Sequence, residues 1–120
     1  MSVGIVGGSV SPSTALTLNA QTGTTYTFVL TDANNTLVTA SNASAQTYTI
    51  PPNSSVAYPI GAQLNIIQLG AGQVSFAQGS GVTIASSGAT STAPKCRVQY
   101  SAATAIKVNT DSWYVVGDIA

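Results

Sequence analysis

The clearest structural signal in this chain is the stretch Thr24-Thr-Tyr-Thr-Phe-Val-Leu30. Tyr26, Phe28 and Leu30 occupy alternate positions, with Thr or Val between them. Because successive side chains of a β-strand point to opposite faces, this period of two predicts a strand. Branched and aromatic side chains pack well on a pleated surface, so the composition of the stretch favours the same structure.

The same alternation recurs along the chain after Leu16. Further strands are expected at 36–40, 46–50, 63–69, 73–77, 82–85, 95–101, 104–110 and 112–117. Turn-forming residues separate them, and we expect Gly70–Gly72 and Gly79–Gly81 to be hairpin turns. About eight to ten short antiparallel strands predict an all-β domain over residues 16–120, a β-sandwich or a jelly-roll-like barrel. No internal repeat is evident.

Charge is the second informative property of the sequence. There are six charged residues in 120, with no Glu, no His and a net charge of zero. The charged residues are Asp32, Lys95, Arg97, Lys107, Asp111 and Asp118. Most proton transfer near neutral pH uses His or a tuned carboxylate, so we expect no catalytic residues and no enzyme activity. A neutral surface of this kind suits contact with other protein better than repulsion from it.

Metal, cofactor and nucleic-acid sites are not expected either. The three Asp residues are isolated in sequence, and each lies in or beside a turn, where a carboxylate commonly bonds backbone N–H groups. A strand, not a helix, is predicted after each glycine-rich turn, which argues against a phosphate-binding loop. Three cations are too few for a nucleic-acid interface, and we expect them to pair with Asp residues of this chain or of a neighbour.

The cysteine and the tyrosines each allow two interpretations. Cys96 alternates with Val98 and Tyr100, which favours a small core residue; a reactive or intermolecular thiol is the alternative. The tyrosines favour packing in the core and at interfaces, with a sugar-binding platform as the alternative. They are Tyr26, Tyr48, Tyr58, Tyr100 and Tyr114.

Residues 1–15 differ in composition from the rest of the chain. Gly, Ser and Pro interrupt every regular period there, and neither a signal peptide nor a membrane span is predicted. We expect an extended N-terminal arm that reaches across a subunit boundary. The candidate residues for contact with a capsid or a neighbouring subunit are Val3, Ile5, Val6, Val10 and Pro12.

Seven separate pieces of the chain, taken in order, carry a resemblance to a known family. They are Leu18–Leu30, Thr36–Thr39, Ser41–Ser44, Thr49–Ser54, Pro59–Gly61, Ile67–Val74 and Trp113–Asp118. Together they resemble a β-rich module of the structural proteins of tailed bacteriophages, over about residues 18–118. In that family such modules often lie at the end of long tail-fibre or other virion polypeptides.

The resemblance implies a virion protein with no catalytic residues to carry over. Because only a short arm precedes the module, we expect a capsid decoration, or cement, protein on the capsid surface. Its partners would be the major capsid protein and copies of itself, as a homotrimer or a dimer, with no nucleic acid and no membrane. The alternative is a tail-fibre or receptor-binding module that contacts a host-surface glycan through exposed Tyr58 and Asn53. A glycan depolymerase would need paired carboxylates, and a non-viral adhesin is a remoter alternative.

Overall fold

A computed structural model of the chain describes residues 15–120. These residues form nine strands and one short 3-10 helix, Leu30–Ala33. The strands are β1 (Thr17–Gln21), β2 (Thr25–Thr27), β3 (Thr36–Ala40), β4 (Gln46–Ile50), β5 (Gln63–Gln68), β6 (Val74–Gln78), β7 (Thr83–Ser86), β8 (Ala102–Asn109) and β9 (Ser112–Gly117). The prediction of a β-rich chain of short strands is confirmed, and most strands lie within a residue or two of their predicted positions.

The strands form two sheets, and the chain alternates between them. One sheet has six strands in the order β1-β3-β5-β8-β9-β7, and the other has three in the order β2-β4-β6. Each odd strand from β1 to β5 is followed by an even strand in the other sheet. The first six strands therefore wind as a coil of three rungs: β1 with β2, β3 with β4, and β5 with β6.

This winding makes most strand pairs parallel. The pairs β1–β3, β3–β5, β2–β4, β4–β6 and β7–β9 are parallel, so the prediction of antiparallel strands is wrong for them. For the four pairs among the first six strands, the reason is that the chain crosses to the other sheet before it returns, and so each strand enters its sheet in the same direction as the previous one. Strand β9 is parallel to β7 because the hairpin reverses the direction of β8, which itself runs opposite to β7. The prediction holds for β5–β8 and for the β8–β9 hairpin, which are antiparallel.

The predicted glycine hairpins are instead corners between the two sheets. Gly70 and Gly72 lie between β5 and β6, and Gly79 and Gly81 lie between β6 and β7, which also belong to different sheets. The corner at Gly72 lies directly on the corner of the preceding rung, because the Gly72 N–H donates to the Asn42 carbonyl at 2.8 Å. The hairpin prediction is wrong at both places, although both places are turns of the chain.

The third rung is covered on its far side by later parts of the chain. Strand β8 pairs with β5, and the segment 94–96 lies along β6, where the Cys96 N–H donates to the Val74 carbonyl at 2.9 Å. The predicted strand at 95–101 is wrong, since Lys95 and Cys96 make single bridges and Tyr100 turns the backbone with φ of 70°. Cys96 is buried as predicted, whereas Val98 and Tyr100 are exposed.

One buried cluster contains residues of both sheets. In the three-stranded sheet, Tyr26, Tyr48 and Phe76 stand in register on successive rungs. The rings of Tyr26 and Tyr48 have centroids 5.6 Å apart, and Phe28 packs 5.9 Å from Tyr48. Aromatic pairs at such separations stabilise a core beyond the burial of their area. This ladder of rings fixes how the rungs stack.

Candidate interaction surface

The six-stranded sheet is the larger of the two sheets among the described residues, and one of its sides faces outward. We call this side the outer face. It includes the strand residues that alternate with the more buried ones: Leu18, Ala20, Leu37, Thr39, Asn65, Ile67, Thr104, Ile106, Tyr114, Val116, Thr83 and Ala85. Leu18, Tyr114 and Val116 leave 66%, 54% and 50% of their surface exposed. Apolar exposure of this kind, spread across a sheet, is typical of a surface that contacts other protein.

The outer face carries no charge. Across the six strands of this sheet, as described, Lys107 is the one ionic side chain, and it is buried on the opposite side. Its Nζ donates to Asn53 Oδ1 at 2.8 Å and to the Tyr58 carbonyl at 2.7 Å. Both acceptors come from the connection between β4 and β5, so this lysine ties that connection to β8. It does not contribute to a surface patch.

The acidic side chains are engaged in structural hydrogen bonds. Asp32, which is buried, accepts from Tyr26 Oη at 2.7 Å, from Asn19 Nδ2 at 2.9 Å and from the Val29 N–H at 2.9 Å. The carboxylate thereby joins β1, β2 and the short helix that follows them. Asp111 accepts from the Asn53 N–H at 2.7 Å.

Asp118 makes the ion pair found among the described residues. Arg97 Nε and Nη2 donate to its two carboxylate oxygens at 2.7 and 3.0 Å, and Ser101 Oγ donates at 2.6 Å. These hydrogen bonds hold the pKa of Asp118 below its usual value. The expectation that the cations pair with Asp is confirmed for Arg97. It is wrong for Lys107, whose partners are neutral.

The structure bears on two further sites that the sequence suggested, a glycan-contacting pair and a reactive cysteine. The glycan-contacting pair needs an exposed Tyr58 beside Asn53, but Tyr58 is buried and donates to the Val29 carbonyl at 2.9 Å. Burial is also the main cause that raises the pKa of the Cys96 thiol to about 11, which leaves it protonated at neutral pH and disfavours a reactive thiolate. Because Tyr58 is buried, Tyr58 and Asn53 do not form the exposed pair suggested for glycan contact.

Metal-ligating side chains do not cluster in the part of the chain that the structure describes, where no three of His, Cys, Asp and Glu come together. Within residues 15–120 there is also no helix long and apolar enough to cross a membrane. The predicted contact residues Val3, Ile5, Val6, Val10 and Pro12 lie outside the described residues, as does nearly all of the predicted arm. Comparison of the chain with protein-family models, with curated proteins and with solved structures finds no match.

The outer face was not predicted, although the sequence contains the pattern that indicates it. Strands β1, β3, β5, β7 and β9 contain no charged residue at all, and alternation places Lys107 on the same side of β8 as the small residues Ala103 and Ala105. What the sequence lacks is the order of the strands, which brings the outward-facing residues of all six strands into one surface.

Proposed function

We propose that this chain is a structural protein of a tailed-bacteriophage virion, and that it acts as a capsid decoration protein. The observation that carries the proposal is the charge-free outer face of the six-stranded sheet. We infer that the two sheets pack as a sandwich, since one buried cluster draws on both. The outer face then lies on the side of the sandwich away from the three-stranded sheet, available to the major capsid protein and to further copies of this chain.

The mechanism is burial of neutral surface in repeated contacts. Six strands spaced about 4.8 Å apart make a face about 24 Å wide, and a specific interface ordinarily buries about 800 Å² on each partner. Neutral apolar contacts gain free energy by leaving water, and need no charged partner to be placed opposite. Capsid symmetry repeats each contact many times, so modest individual contacts sum to a large stabilisation of the shell.

Labelling of virions tests the location and role directly. Antibodies against the recombinant chain, coupled to gold and viewed by electron microscopy, are expected to mark the capsid shell all round. Quantitative mass spectrometry of purified virions is expected to give hundreds of copies for each particle. Label confined to the tail, at a few to a few dozen copies, would instead establish the tail-fibre alternative.

A charge placed on the outer face is expected to weaken attachment to the capsid. In Val116→Lys, an ammonium group enters the contact without a partner, and its desolvation should weaken rebinding to stripped virions at least about tenfold. Ile60→Lys is the matched control, because Ile60 is equally apolar and 63% exposed but lies in the connection between β4 and β5. Both variants should keep the parent circular-dichroism spectrum. Equal rebinding of Val116→Lys and the parent would exclude the outer face as the contact.

A further inference from the structure

Lys107 is a buried lysine whose ammonium group contacts the side chain of an asparagine. It leaves 2% of its surface exposed, and its Nζ atom donates to Asn53 Oδ1 at 2.8 Å and to the Tyr58 carbonyl at 2.7 Å. It has no carboxylate partner among the described residues, where the ion pair is that of Arg97 with Asp118. An ammonium group buried beside neutral acceptors is unfavourable, and its conversion into a neutral group removes that cost.

The lysine nitrogen lies close enough to the amide carbon of Asn53 to react with it. A C=O bond is about 1.23 Å long, so a nitrogen 2.8 Å from Asn53 Oδ1 in hydrogen-bonding geometry lies roughly 3 to 4 Å from Asn53 Cγ. Reacting atoms about 3 to 3.5 Å apart are near the position of attack. The contact therefore has the proximity that an acyl-transfer step needs.

The surrounding backbone holds both residues in place. The Lys107 N–H donates to the Ala62 carbonyl at 2.9 Å, and the Gly61 N–H donates to the Lys107 carbonyl at 2.8 Å. The Asn53 N–H donates to Asp111 Oδ1 at 2.7 Å. A nucleophile and an amide that folding has already brought together react without a further loss of translational and rotational freedom, which lowers the barrier.

We propose that Lys107 and Asn53 join in an intramolecular isopeptide bond that the folded chain forms by itself. Nζ gives up one proton and then forms a bond to Asn53 Cγ. The bond between Cγ and Nδ2 breaks, and Nζ loses a second proton as it becomes an amide nitrogen. Both protons pass through water to Nδ2, which leaves as ammonium. Hydrogen atoms and charge balance, and nothing is oxidised or reduced. Because Asn53 is partly exposed, water can enter and ammonium can leave.

The bond closes a covalent loop within the domain. It joins the connection between β4 and β5 to β8, so that β5, β6 and β7 lie inside the loop. Such a loop restricts the unfolded chain as a disulfide does, and it needs no oxidant. The cross-link does not depend on the capsid role.

The intact mass of the full chain tests the proposal. The purified and denatured parent chain is expected to be lighter than its sequence by one molecule of ammonia. Lys107→Arg should have its full calculated mass, because a guanidinium group keeps the charge and the hydrogen-bond donors but stays protonated and does not attack. Lys95→Arg is the matched control, since Lys95 is exposed, and it should show the same loss of ammonia as the parent.

Trypsin digestion of the denatured chain locates the bond. Trypsin cuts after unmodified lysine, so the parent should stay uncut between Lys107 and Val108, and the fragment with Asn53 should stay joined to the fragment with Lys107. A parent chain of full mass that trypsin cuts after Lys107 would overturn the proposal, whether or not Lys107→Arg folds. An ammonia loss that persists in Lys107→Arg would overturn it as well, because an asparagine that cyclises onto its own backbone also loses ammonia.

Discussion

Replacement of Gly72 by alanine is expected to lower the free energy of unfolding by about 3 kcal/mol. A Cβ atom built on Gly72 lies 2.7 Å from the Asn42 carbonyl oxygen and closer still to the Ser44 carbonyl oxygen. Both obstacles are backbone atoms of the corner below, which cannot rotate away as a side chain could. The added methyl group therefore has to separate the two corners, and with them the second and third rungs.

Gly23→Ala is the matched control for this experiment. Gly23 lies at the corner between β1 and β2, the corresponding corner of the first rung, and the nearest atom to its Cβ would be 3.7 Å away. Urea denaturation should place Gly23→Ala within about 0.5 kcal/mol of the parent. If the two variants were equally stable, the corners would not be stacked as described, and the coiled arrangement of the first six strands would be in doubt.

The positions of the strands were predictable because they depend on local alternation. Strand β4 was predicted at 46–50 and occupies Gln46–Ile50, with Tyr48 and Ile50 buried and Thr47 exposed. A period of two places a side chain on one face or the other whatever its neighbouring strand does. It says nothing of strand direction, because parallel and antiparallel strands have the same period. The direction here depends on corners and connections that bring distant strands together.

An internal repeat in the sequence does indicate the coil, and it was not recognised. Thr17-Leu18 with Thr25-Tyr-Thr27 recurs as Thr36-Leu37 with Thr47-Tyr-Thr49, and the structure pairs these residues in register. From the first rung to the second, paired residues are nineteen positions apart in the six-stranded sheet and twenty-two apart in the three-stranded sheet. From the second rung to the third they are twenty-eight apart in both, from Gln46 to Val74 for example. Because the connections differ in length, the repeat has no fixed period. In the third rung an aromatic residue, Phe76, again takes the central position, but Ser75 and Ala77 replace the threonines beside it.

Lys107 shows the kind of contact that local pattern does not reveal. Alternation alone places it on the buried side of β8, yet a buried ammonium group is unfavourable unless acceptors surround it. The acceptors, Asn53 Oδ1 and the Tyr58 carbonyl, lie about fifty residues away in sequence, in a connection with no regular period. The sequence therefore predicted an Asp partner for Lys107, whereas its partners are a neutral amide and a backbone carbonyl.

Above pH 10 the domain is expected to lose stability steeply, because buried tyrosines resist ionisation in the folded state. Burial raises the pKa of Tyr48 from 10.0 to about 12. Burial, followed by the hydrogen bond to Asp32, raises that of Tyr26 to about 12 as well. The unfolded chain loses these protons near pH 10, whereas the folded chain keeps them to about pH 12. The contribution of these two tyrosines to the free energy of unfolding is therefore fully present below pH 10, and it is lost as the pH rises from about 10 to about 12.

Tyr48→Phe should remove the part of the alkaline loss of stability that comes from Tyr48 and leave the part that comes from Tyr26. At about pH 12 the shift at Tyr48 corresponds to roughly 2 kcal/mol, so the variant should exceed the parent by about that amount. Near neutral pH the two should be similar, since Tyr48 Oη makes one long contact, 3.4 Å to Gln46 Oε1. Tyr114→Phe, on the exposed outer face, should follow the parent at both pH values. Urea midpoints of the three proteins measure this directly, and an equal alkaline loss in Tyr48→Phe and the parent would show that burial of this hydroxyl does not govern the transition.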